Sequence, residues 1–136
     1  MIKPIMHDEI FLAQKAELAT KNDGSIVIDL LDTLEANKEV CVGMAANMIG
    51  VNKRIIVCQF GNLNVPFINP KITKKSGRYN VNEGCLSLTS ERPAQRYDSI
   101  TVDYLDKSFQ PQTQKFSGWM AQIIQHEVDH CEGIII

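Results

Sequence analysis

The sequence predicts an α+β fold, with antiparallel β-sheets around a buried C-terminal helix and N-terminal helices packed outside. Three observations predict it: apolar residues recur at helical spacing in the first third, strand-like runs fill the middle, and the closing segment is apolar on almost every side of a helix. With 136 residues, 44% of them apolar, the chain suits one modest core, so residues 1–136 are read as a single domain.

Taken in order, Phe11, Leu12, Ala16 and Leu18 mark a first helix, which breaks at Asn22-Asp23-Gly24-Ser25. A second helix starts there with Val27, Leu30, Leu31 and Leu34 in phase. Ser25 or Asp23 supplies its N-cap oxygen, and it runs to Asn37. The middle then changes period. Ile55 to Phe60, Val65 to Ile72, and Ile100, Val102 and Tyr104 alternating with Thr101 and Asp103 all favour antiparallel strands, because β-branched and aromatic side chains fit a pleated surface. Cys58 reads as core packing. Asp106-Lys107-Ser108 turns the chain into a return strand over Phe109 to Phe116, and Pro111 places that strand at an edge. The last helix spans Ser117 to Cys131 and Gly133 ends it. Trp119, Ile123, His126, Glu127 and His130 fall roughly on one of its faces.

Composition removes several function classes. Net charge is -2 with scattered basic residues, which gives no basic stripe for sequence-specific nucleic-acid binding. The segment Met1 to Glu9 has no long apolar stretch, and none elsewhere approaches transmembrane length, so the expected setting is the cytoplasm, away from any membrane. In a reducing compartment four cysteines do not suggest a disulfide framework, and a Cys accompanied by a His pair reads as a metal ligand.

The strongest chemical signal is Gln125-His126-Glu127-Val128-Asp129-His130, which sets two imidazoles one helical turn apart so that both can face one cation. Glu127, beside the first ligand, is placed to take a proton from a metal-bound water. Polar groups within so apolar a helix are costly to bury without partners, which favours ligation over chance spacing. A third ligand is needed. The motif continues to Gly133 like a metzincin, but the position of that family's next histidine is Ile136. The thermolysin pattern, a Glu on a following helix, is missing as well, which weakens a general metallopeptidase reading. His7, the remaining histidine, lies in a terminus expected to be mobile, so the best upstream donor is Cys85 in Glu83-Gly84-Cys85-Leu86-Ser87.

Three blocks in this order make the chain similar to peptide deformylases, which remove the N-formyl group from nascent polypeptides. Val42-Gly43-Met44-Ala45-Ala46-Asn47-Met48-Ile49-Gly50 resembles the family's GxGLAAxQ block, Glu83 to Ser87 its EGCLS block, and Gln125 to His130 its QHExDH block. The resemblance covers nearly the whole chain. It implies one divalent ion held by Cys85, His126 and His130, with Fe2+ first and Zn2+ or Ni2+ as alternatives, and Glu127 as general acid/base. Three protein ligands leave a position for water, whose lowered pKa yields the hydroxide that attacks the formyl carbonyl, and Glu127 then passes the proton to the leaving amine. The Leu86 amide is the implied oxyanion donor. Gly43, Met44, Leu86 and the last helix are expected to form the methionine pocket. The implied substrates are N-formyl-methionyl nascent peptides, with the ribosome nearby and the protein a monomer.

Two positions depart from the resemblance. Met48 stands where the family has a glutamine that donates to the oxyanion, and a thioether cannot donate. Together with the chain's close at Ile136, this motivates an alternative function: a deformylase-like metal protein with weak or no catalysis, serving as a formyl-peptide binding or sensing module. Cys41 replaces the first glycine of its block and is read either as packing or as a second thiol near the site. Small Ala45 and Ala46 leave room for tight packing and for a substrate backbone. Glu83 is expected to pair with Arg92 and so orient the Cys85 loop, or to form only a surface ion pair with it. Asp129 and Gln125 are read as helix-surface groups or supports of the ligands.

Overall fold

The computed structural model describes residues 1–87 and 90–134, so Ile136 lies outside the described residues. Among them run α1 (Glu9–Leu12), α2 (Gly24–Ala36), β1 (Gly43–Ala45), β2 (Ile55–Phe60), β3 (Leu63–Glu83), β4 (Arg92–Leu105), β5 (Pro111–Ser117) and α3 (Gly118–Cys131). All five strands join one antiparallel sheet in the order β1-β2-β3-β4-β5, as the α+β expectation required. Pro111 opens β5, an outer strand, where its missing N–H costs the sheet nothing. At the preceding turn the Asp106 carboxylate accepts from the Ser108 and Gln110 amides.

The sheet lies between two layers, and strand alternation assigns each side chain to one of them. Ile56, Cys58, Phe67, Ile100, Val102 and Phe116 pack with Ile123, Ile124 and Val128 of α3. Ile55, Val57 and Ile68 pack on the opposite face with Val27, Leu30 and Leu34 of α2. The first four residues of β2 are therefore buried on both faces, which explains its unbroken apolar run. Next to it, the Arg54 amide donates to the Glu17 carbonyl and Arg54 Nε to the Pro70 carbonyl, 2.7 and 2.8 Å away, while its Nη1 meets Glu132. Asn69, in the left-handed region at φ 52°, sits at a register shift between β3 and β4. Its side chain bonds both the amide and the carbonyl of Ala19.

Three local expectations are corrected. The first helix stops at Leu12, and Ala16 and Leu18 lie outside it. Long-range bonds claim that backbone instead: the Ala16 amide donates to the Cys131 carbonyl at 2.7 Å, and Glu17 bridges Lys53. Asp23 does not cap α2 with its side chain. It closes a capping box with Thr20 one turn earlier, around the 3-10 turn Lys21–Asp23. The N-terminus, finally, is tied down, with the Lys3 amide donating to Thr33 Oγ1 at 2.9 Å and the Met6 amide to the Met48 carbonyl at 2.7 Å.

Candidate metal centre

On its own face of the sheet α3 lies beside the end of β3, where Glu83 closes the strand and Cys85 follows in the connecting turn. One ligand atom each from Cys85, His126 and His130 lies within 4.8 Å of the others. The two imidazole centroids are 5.1 Å apart, as the helical spacing requires. His130 is 1% exposed, and its backbone carbonyl accepts from Asn47 Nδ2 at 2.9 Å, which ties the 3-10 turn Ala46–Ile49 to the C-terminal turn of α3.

His126 is oriented by a buried charge network. Its Nδ1 donates to Glu83 Oε1 at 2.8 Å, leaving Nε2 as the donor atom for a cation. Glu83 in turn accepts from Arg96 Nε at 3.1 and 3.0 Å, from Arg96 Nη2 at 2.6 Å and from Gln122 at 2.9 Å. Arg96 Nη1 donates to Asp129 at 2.6 Å. Burial alone would raise the Glu83 carboxyl, but the hydrogen bonds from His126 and Arg96 hold it at about 2. Burial also works against the charged imidazole of His126. Its contacts with Cys85 and Glu83 outweigh that and lift it to about 10. Asp129 is pushed up by burial, against the pull of Arg96.

The expected Glu83–Arg92 pair does not form. Arg92 Nη2 instead reaches Glu9 at 2.8 Å, and Arg96 takes Glu83. Arg96 was missed, although it is in phase with the inward-facing Ile100 and Val102 of β4, where an arginine must find a partner. Gln125 pins α3 to β4, exchanging hydrogen bonds with the amide and carbonyl of Tyr97 at 2.8 and 2.7 Å. Asn47 and Gln122 were also missed, since their partners lie far along the chain.

A cleft of about 530 Å³ opens on the centre, lined by Cys41, Gly43, Met48, Cys85, Leu86 and Glu127 among others. Glu127 is 4% exposed, and its Oε1 has no partner among the described residues. Burial, opposed by His126, pushes its carboxyl up to about 7. Gly43 makes room for it: a Cβ there would stand 2.9 Å from Glu127 Oε2 and 2.9 Å from Ile123 Cγ2. Met44 lies outside the cleft lining. Alternation along β1 turns it into the α2 core while Gly43 and Ala45 face α3. Met48 Sδ accepts from the Ala45 amide at 3.5 Å, and Cys41 Sγ donates to the Gly43 carbonyl at 2.8 Å. Burial raises the Cys41 thiol to about 12. It is not part of the ligand cluster, and its backbone is not among the positive-φ positions.

The donor set of one sulfur and two imidazole nitrogens fits a divalent transition cation, and the buried, unpartnered carboxylate oxygen beside it fits a proton-transfer role. A centre of this kind, open to a cleft, defines the class of metal-dependent hydrolases. The family model described as polypeptide deformylase matches residues 2–136. A peptide deformylase of Clostridium beijerinckii is 60% identical over 136 residues, covering 100% of both chains. The crystal structure of the Thermotoga maritima peptide deformylase superposes with a TM-score of 0.89 at 27% identity, over 99% of this chain and 95% of that one. A Met-Ala-Ser-bound class I type b peptide deformylase from Acinetobacter baumannii gives 0.87 at 26% identity, over 99% and 97%. The chain belongs to the polypeptide deformylase family.

Proposed function

We propose that this hydrolase removes the formyl group from N-formyl-methionyl peptides. The observation that carries the reading is the convergence of Cys85, His126 and His130 beside the buried Glu127 carboxyl. When bound, the cation supplies Lewis acidity to the formyl carbonyl and to a water molecule. Cys85, His126 and His130 hold it, with ferrous iron as the proposed native ion. The Glu83–Arg96–Asp129 chain keeps His126 turned toward it. Glu127 takes a proton from water and returns it to the amine that leaves, a role suited to a buried carboxyl beside the ligands with an unpartnered oxygen. The Leu86 amide is the proposed donor to the developing oxyanion, and Met48, which accepts where a donor is wanted, slows turnover.

The peptide's methionine side chain is assigned to the cleft between Gly43, Leu86 and α3. The Met-Ala-Ser bound to the Acinetobacter baumannii relative supports a short peptide as ligand. No helix among the described residues is long and apolar enough to cross a membrane. A cytoplasmic monomer acting on nascent chains near the ribosome is the setting proposed for this activity. The test is anaerobic turnover of formyl-Met-Ala-Ser by the iron-loaded protein, with formate release as the readout. A fully loaded protein that releases no formate, either as the wild type or as Met48→Gln, overturns the reading.

A further inference from the structure

Residues 6–9 touch three parts of the chain that carry site residues. The Met6 amide donates to the Met48 carbonyl at 2.7 Å, His7 Nδ1 lies 3.1 Å from the Ser87 carbonyl, and Glu9 accepts from Arg92 at 2.8 Å. A carbonyl only accepts, so His7 carries its proton on Nδ1 in this contact. The segment is packed on both sides of His7: Ile5 sits against the α2 core, and Leu12 is 1% exposed. His7 is therefore presented from anchored backbone.

Among the described residues, Cys85 and Leu86 of the turn it reaches pack against the α2 core, but no strand pairing holds their backbone. Glu83 is the last residue of β3 paired to β4, so Cys85 has no ladder partner, and Arg92 reopens the pairing. The Ser87 hydroxyl is buried without a partner among the described residues. His7 takes hold two residues beyond Cys85 and one beyond Leu86. The Glu9–Arg92 pair holds the far end, but its carboxylate is 60% exposed and the pair contributes little alone.

We propose that His7 is a positioning residue: its hydrogen bond to the Ser87 carbonyl fixes the turn that presents Cys85 Sγ and the Leu86 amide to the centre. The proposal rests on the reading of Cys85, His126 and His130 as cation ligands. His7→Ala and His7→Asn, compared with the wild-type chain in two assays, test it. The asparagine amide nitrogen can stand in for Nδ1 as donor, whereas alanine cannot.

The first assay is hydrogen exchange over residues 84–92 in chelator-stripped protein, which needs no cation. The second is Co2+ release to excess chelator, followed by the thiolate-to-cobalt absorption that reports Cys85. His7→Ala is expected to speed loop exchange and Co2+ release by about tenfold each, leaving α3 and β2 exchange unchanged. His7→Asn is expected to bring both back to within about twofold of wild type. Wild-type loop exchange in His7→Ala overturns the proposal, as does loosening that spreads equally to α3 and β2. If the wild type shows no thiolate band with Co2+, the ligand reading fails and the proposal with it. A normal band whose decay is unchanged in His7→Ala leaves the ligands standing and removes the role of His7.

Discussion

On the α3 wall of the cleft, His126, Glu83, Arg96 and Asp129 form an unbroken run of charged hydrogen bonds, with Gln122 bonded to its centre. On the facing wall, built by β1 and the residues on either side of it, the sulfurs of Cys41 and Met48 engage neighbouring backbone, and shape replaces charge. The difference shows that the cation side of the site is organised before any ligand arrives. The facing wall offers backbone and sulfur groups in place of such a network.

Four substitutions at the cleft break or sharpen that contrast, and a titration with one further substitution probes a distant turn. Glu127→Gln should lower kcat by about 10² to 10⁴ while leaving metal content intact, measured as formate release alongside metal analysis. Arg96→Met strands the Glu83 and Asp129 carboxylates. It should cost roughly 3 to 5 kcal/mol, read from the shift in a urea unfolding midpoint at constant slope. On the opposite wall, Met48→Gln supplies a donor and should raise kcat by about 10² with little change in stability; an unchanged rate would show that the wall does not need one. Gly43→Ala pushes a methyl group against Glu127 and Ile123 and should cost roughly 1 to 3 kcal/mol of stability.

The smallest effect lies far from the cleft. Asp106 is held below the usual carboxylate range by the Gln110 amide, with the Ser108 amide and Gln112 adding to it. A depressed folded value means that the stabilisation is complete above the unfolded pKa, about 4, and disappears as pH falls through the folded value. Amide exchange at Ser108 and Gln110 should therefore rise at acid pH relative to other turns, and Asp106→Asn should flatten that dependence.

The centre was legible because its chemistry demands particular residues at particular intervals. Two imidazoles one turn apart and a cysteine in a turn leave few alternatives once the helix is recognised. The α+β order was equally legible from period alone. What escaped depended on partners distant in sequence. Arg92 seemed the natural mate for Glu83, yet Arg96 shares the inward phase of Ile100 and reaches the carboxylate, while Glu9 draws Arg92 away. Met44, expected in the methionine pocket, packs in the α2-side core, because alternation sends it and Gly43 to opposite layers. The first helix was overextended because nothing local announces that Ala16 and Ala19 bond to Cys131 and Asn69.

A strand apolar on both faces has one weakness: sliding it by one residue exchanges one set of greasy side chains for another of similar bulk, so solvent aversion barely resists the error. For β2 the guard against such slippage must come from its flank. The Arg54 anchorage to Glu17, Pro70 and Glu132 acts as an indexing pin at the start of β2, tying that strand to the N-terminal segment, to β3 and to the end of α3.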